Sequence, residues 1–406
     1  MSKNKFFFIL SVLSIISIFT FIYAFSLKNI INLWTYSEVH LNYSQGFIRR
    51  GLFGEILFFL NSFGIKSNIS FSTIFYLFHI INAFLFLKIL NKITNNYWYR
   101  FYFIFNPAFI FFSFYDLGGY ARSEVFGIFL ILLHTIIFQK VKLEKFKLSK
   151  YFTFYYLILY PSIILSFLIH EINIFFVIFH IILTFKVLQT KKIIEIKIIA
   201  KSSLPILILL YFLYLSLSQT VTPSMLQDIY KSLPNNENIS LWIWEALLTP
   251  ISDRSEFAYM ANPFTNIIYY FLITIFYLIP IVFFLNKLIN KQVNHYLYLL
   301  LSLFPFFILF FIARDWGRWI HIIFMIIFCY YGLNVQETIK NFNFKKIFIP
   351  FVVIFLIFQV FFTRIPHCCN LVEKNISIIG GFASKVLVLN NLIYNKIDVE
   401  KRFKKF

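Results

Sequence analysis

Apolar runs of helical length alternate along the chain with short charged turns. The runs fall at 6–25, 71–90, 101–114, 123–138, 151–169, 172–187, 202–218, 267–285, 296–313, 319–333 and 347–363. A helix needs roughly 20 apolar residues to cross the hydrocarbon core of a bilayer. Read this way, the pattern predicts an all-α protein, a polytopic transmembrane bundle of about 11 spans in one membrane domain covering 1–406. Run 101–114 is short and reads as tilted, extended at its ends or re-entrant. Run 6–25 follows Lys3 and Lys5 as a signal peptide would, but it lacks a small-x-small cleavage site and reads as a first span. The tail 364–406 reads either as a surface helix or as a twelfth span.

Composition agrees with the pattern. Hydrophobic residues make up 60% of the chain and charged residues only 13%, with 59 Phe and 25 Tyr. A soluble domain carries about 25% charged residues. The net charge of +20 therefore points to cytoplasmic loops and anionic lipid headgroups, and no nucleic-acid partner is expected. The three cysteines, Cys329, Cys368 and Cys369, make no zinc spacing.

Charge also orients the chain. With the N-terminus taken as cytoplasmic, the inside loops collect lysines, as at Lys140, Lys142, Lys145, Lys147 and Lys150 or Lys186, Lys191, Lys192, Lys197 and Lys201. The outside loops carry most of the carboxylates together with arginines. Lysines alone serve topology, whereas arginine with carboxylate suggests a built site.

Five outer clusters follow. The first loop, 27–70, contains "YSEVHLNYSQGFIRRGLFGEILFFL" and predicts two short surface helices bearing Glu38, His40, Arg49, Arg50 and Glu55. The turn "YDLGGYARSE" holds Asp116, Arg122 and Glu124. "LIHEIN" places His170 and Glu171 between two spans, without metal-protease spacing. The long loop 219–266 holds Trp242 and Trp244 beside Glu245, an arrangement suited to sugar stacking or to an interfacial aromatic belt. "ARDWGRWIH" brings Arg314, Asp315 and Arg318 to the last outer turn, with the two arginines four residues apart. Each cluster also has a plain structural reading, as headgroup anchor, hairpin-closing ion pair or polar turn. By parity all five share one face.

Many spans with arginine- and carboxylate-bearing outer loops resemble the O-antigen polymerases of bacterial surface-polysaccharide loci. A long first outer loop with surface helices and Glu38 or Glu55, followed by a short loop with Asp116, also resembles the GT-C glycosyltransferases. Both resemblances imply an inner-membrane enzyme using a lipid-linked sugar donor. The polymerase resemblance implies a glycan on undecaprenyl diphosphate as substrate, and a flippase and a chain-length regulator as partners. Arg49, Arg50, Arg122, Arg314, Asp315, Arg318, Trp242 and Trp244 would then bind substrate. Glu38, Asp116, His170 or Glu171 would do the proton chemistry. No cofactor is expected, except a divalent metal in the GT-C version. A lipid-linked oligosaccharide flippase or other carrier is the competing class; it would carry charges within spans, whereas ionisable residues here sit mostly at span ends, with His79, His134 and His180 as exceptions.

Overall fold

A computed structural model describes residues 3–28, 33–94, 96–115, 120–191, 207–208, 210–211, 214–215, 221–233, 239–248, 263–285, 293–312, 315–334, 348–361 and 365. The described secondary structure is helical throughout: α1 (Lys3–Lys28), α2 (Leu33–Glu38), α3 (Gly51–Ser62), α4 (Ser67–Ile93), α5 (Tyr97–Phe105), α6 (Phe112–Tyr115), α7 (Glu124–Lys142), α8 (Leu148–Ile169), α9 (Glu171–Thr190), α10 (Pro223–Ser232), α11 (Leu241–Leu248), α12 (Pro263–Leu285), α13 (Val293–Ile312), α14 (Trp316–Asn334) and α15 (Phe348–Phe361). Among the described residues six helices are long and apolar enough to cross a membrane: α1, α4, α7, α8, α9 and α14. The expected count of about 11 is thus only partly reproduced. Run 202–218 and most of the tail lie outside the described residues.

The spans divide by burial. In α7 and α14, 83% of the spanning window is buried inside the protein, against 22% in α1 and 33% in α8. So α7 and α14 form the centre, and α4, α9 and α13 pack around them. The outer helices turn large apolar side chains outward, among them Leu13, Phe21, Leu157 and Leu165, as lipid-facing helices do. One π turn, Tyr155–Leu159, lies within α8 just ahead of Pro161.

Run 101–114 is not one helix. The chain leaves α5 at Asn106, whose side chain accepts from the Ala108 N–H at 2.8 Å, and Pro107 has no N–H to continue the ladder. Residues 106–111 then form a buried irregular bend before α6. Its polar groups are tied to helices: Asn106 Nδ2 donates to Gln359 Oε1 of α15 at 3.1 Å, and the Ala108 carbonyl bonds His321 Nδ1 of α14 at 2.9 Å. Non-helical backbone at membrane depth is tolerated where it is buried in protein or lines a cavity, and this bend does both.

Two short helices follow α1. α2 is buried under α11, and α3 lies against α4 and α8. Between them the loop is fixed by Glu55, whose carboxylate accepts from the Tyr43 N–H at 2.5 Å. Gly54 must be glycine, because a Cβ there would sit 1.9 Å from the Leu41 carbonyl oxygen.

Candidate functional site

α7, α9 and α14 all start at the same end of the bundle, and the ionisable side chains meet there. Helix N-termini carry positive partial charge and favour carboxylates. Glu124 opens α7 and Glu171 opens α9. Glu38 arrives from α2 and Arg50 from the turn into α3.

Arg50 is the hub. Its guanidinium makes a two-pronged contact with Glu171, Nε to Oε2 at 2.7 Å and Nη2 to Oε1 at 2.5 Å, while Nη1 donates to Glu38 Oε1 at 2.9 Å. The fork geometry is one that lysine cannot reproduce. Arg50 also sits at φ 67°, ψ 9° as N-cap of α3. A non-glycine residue in that left-handed region costs about 1–2 kcal/mol, so the side chain is retained against a backbone preference for glycine. The carboxylates offset that cost.

Glu38 is 3% exposed and faces three cationic or polar partners. Besides Arg50 these are His170 Nε2 at 3.2 Å and Arg122 Nη1 at 3.9 Å. Burial pushes the Glu38 carboxyl up, but Arg50, His170 and Arg122 outweigh it and hold the carboxyl well below the usual range. Burial works to lower the Arg50 guanidinium, and the attraction of Glu171 and Glu38 more than reverses this. Both groups therefore stay ionised.

On the far side, Arg318 of α14 pairs with Glu124 and with Asp315. It is 5% exposed and within electrostatic reach of Arg122, Glu38 and Arg50. Arg49 lies within electrostatic reach of Glu171. The sequence-selected residues Glu38, Arg49, Arg50, Arg122, His170, Glu171, Asp315 and Arg318 thus come together. Asp116, Arg314 and the side chain of Trp242 lie outside the described residues.

Two expectations change. Trp244 reads from sequence as a sugar-stacking platform or part of an interfacial aromatic belt, but it is fully buried and its indole donates to the Ser37 carbonyl at 2.5 Å. It packs with Tyr230, Leu41 and Ile48 and pins α11 onto α2. His170 was expected as a proton acceptor, yet both ring nitrogens are engaged. Nδ1 accepts from the Ile172 N–H at 3.1 Å, which puts the proton of the neutral ring on Nε2, facing Glu38. Glu171 is likewise occupied by Arg50. A metal bridging Glu38 and Glu171 would have to displace the guanidinium between them. Among the described residues no group of three His, Cys, Asp or Glu is arranged to hold a metal.

Sequence reasoning missed the cleft beside this cluster. It runs between α4, α7, α14 and the 106–111 bend, with a cavity volume of about 30 Å³. Arg122, Glu124 and Arg318 border it, while His79, Asn82 and His321 lie deeper. The available signal was three-residue helical spacing: Arg318 to His321, and His79 to Asn82.

No family model, no curated protein and no solved structure matches the chain. The fold and the cluster define a helical protein with several helices long and apolar enough to cross a membrane and an arginine–carboxylate cluster at one end of the bundle.

Proposed function

We infer that the protein is a membrane glycosyltransferase that acts on a glycan carried by undecaprenyl diphosphate, as a surface-polysaccharide polymerase does. The observation that carries this reading is the set of three arginines, Arg50, Arg122 and Arg318, held by carboxylates at one end of the bundle. Two of them border a cleft among apolar spans. Fixed guanidinium groups in a site shielded from water suit a diphosphate leaving group, because they meet developing negative charge without reorganising. A lipid-linked substrate would enter from the bilayer between helices, and its diphosphate would lie at the depth of the arginines. Lysine-rich loops at the opposite end support a site on the outer face of a bacterial inner membrane. A flippase and a chain-length regulator would work beside it.

Deleting the gene in its own host tests the reading. Surface glycan reduced to single repeats supports it. A missing side-branch sugar at normal chain length favours a GT-C enzyme with a polyprenyl-phosphate donor, and an unchanged polymer ladder removes the polymerase assignment. Reporter fusions at Ser44 and Lys145 should report opposite sides of the membrane, with Lys145 cytoplasmic; the same side for both would dismantle the orientation.

A further inference from the structure

Glycosyl transfer to a hydroxyl needs a group to take the proton, and among the described residues of the charged cluster Glu38, Glu171 and His170 are already engaged. Glu38 and Glu171 are locked to Arg50. His170 presents a proton to Glu38 and has its other nitrogen occupied. The cleft does offer one. His321 lies one turn below Arg318 on α14. Its Nδ1 bonds the Ala108 carbonyl at 2.9 Å. A carbonyl only accepts, so Nδ1 carries the proton and Nε2 keeps its lone pair. Among the described residues no protein group bonds Nε2. One face of the ring stacks on Phe112 at 4.6 Å, and the half-buried residue borders the cleft.

His79, across the cleft, has the mirror arrangement, with Nε2 bonded to the Tyr120 carbonyl at 2.6 Å. It is sandwiched between Phe19 and Tyr120, each 4.9 Å away, and is only 6% exposed. Two stacking partners leave its ring less reachable than that of His321. Nearby Asn82 donates to the Val125 carbonyl at 2.9 Å, and its buried Oδ1 has no partner. That oxygen is an acceptor available to a ligand hydroxyl.

We propose that His321 is the general base of the transfer, acting in the cleft beneath Arg318 and Arg122, with Asn82 Oδ1 holding a sugar hydroxyl. The acceptor oxygen forms the bond to the anomeric carbon, and the bond from that carbon to the diphosphate oxygen breaks. The electron pair leaves with the diphosphate, facing the arginines, and the hydroxyl proton goes to His321 Nε2. The buried bend at 106–111 gains a purpose in this arrangement: its Ala108 carbonyl sets the tautomer. This proposal rests on the glycosyltransferase reading.

The test uses the full chain in nanodiscs with lipid-linked glycan extracted from host membranes, and undecaprenyl diphosphate as the binding probe. His321→Asn keeps an N–H for the Ala108 carbonyl but has no basic nitrogen. It should bind undecaprenyl diphosphate within about twofold of the parent, while transfer falls about 100-fold or more, the scale of general-base catalysis. His79→Gln should lose less than about tenfold on the same scale. Added imidazole should restore part of the turnover of His321→Gly. Transfer by His321→Asn near the parent rate, or an equal loss in His79→Gln, overturns the assignment. So does joint loss of binding and transfer without imidazole rescue, which would make His321 a structural residue. A parent protein that transfers no glycan at all removes the glycosyltransferase reading itself, and that outcome is distinct from the variant results.

Discussion

The two ends of α7, α9 and α14 handle charge in opposite ways. At their N-terminal ends Glu124 and Arg318 are buried, Glu171 and Arg50 are half-buried, and all four are joined in specific pairs. At the C-terminal ends stand Lys140, Lys142, Lys186 and Lys191, with Lys88, Lys92 and Lys145 close by. There the one described carboxylate partner is Glu144, an exposed residue 3.4 Å from Lys191. Lys142 and Gln139 instead cap α14, donating to the carbonyls of Leu333 at 3.2 Å and Gly332 at 2.7 Å. Both ends agree with the helix dipole, which favours carboxylates at N-termini and cations at C-termini. The lesson is that the lysines at one end meet mainly carbonyls and rings, whereas each charge at the other end is paired with a named opposite charge.

The sharpest break of that comparison is Arg50→Ala. Removing one member of a buried ion pair costs about 3–5 kcal/mol, because the partner charge is left stranded. Thermal unfolding in detergent should show a loss of that size. Arg50→Lys should recover only part, since the fork to Glu171 is lost. Arg50→Gly should be better than Arg50→Ala by about 1 kcal/mol, because glycine accepts the left-handed backbone without penalty. Equal stability of the alanine and glycine variants would deny that strain.

Arg318 comes next. Arg318→Ala should lower membrane abundance, since Glu124 is left unpaired in a buried position. The double variant Arg318→Met with Glu124→Gln should restore abundance, because a neutral pair needs no counter-charge, and it should still fail in glycan extension. Recovery of extension in the double variant would reduce Arg318 to a structural partner of Glu124.

Smaller effects follow. Trp244→Phe removes the bond to Ser37 and should cost about 1–3 kcal/mol for the unpaired carbonyl, read as earlier hydrogen exchange in α2 and α11. Glu38 gives a pH dependence. Its folded pKa is depressed, so its stabilisation is complete above the ordinary value of 4.5 and is lost as pH falls toward the lower folded value. Melting temperature should therefore drop in acid, and Glu38→Gln should blunt that drop. At the other end, Lys140→Gln with Lys145→Gln should change stability by no more than about 0.5 kcal/mol. A larger change there would erase the contrast between the ends.

Much of the charged cluster was legible in the sequence because lipid makes each isolated charge expensive. Arginine beside glutamate at the end of an apolar run stands out against a background of Phe and Ile. Loop parity then brought separate turns to one face. Pairing was not legible: nothing local joins Arg50 to Glu171 across 121 residues or Arg318 to Glu124. Trp244 was misread because tryptophan serves equally well as a binding platform, an interfacial anchor or a core residue, and only burial separates these roles. Run 101–114 was ambiguous because a hydrophobic average does not register where Asn106 and Pro107 end a helix. His134 and His180, exceptions to the placing of ionisable residues at span ends, join a buried hydrogen-bonded chain with Tyr151 and Thr184, with links of 2.9 to 3.0 Å.

Local sequence alone carries the helical class, several runs apolar enough to cross a membrane and the charge contrast between alternate loops. These follow from local quantities, namely how many consecutive residues lipid accepts and where lysines interrupt them. Tertiary structure alone decided which charges pair, which tautomer each histidine takes and where the cleft opens. Those outcomes depend on distances between residues far apart in the chain, fixed only when α4, α7, α9 and α14 pack. A carbonyl such as that of Ala108 has no sequence signature, yet it decides which nitrogen of His321 keeps its lone pair.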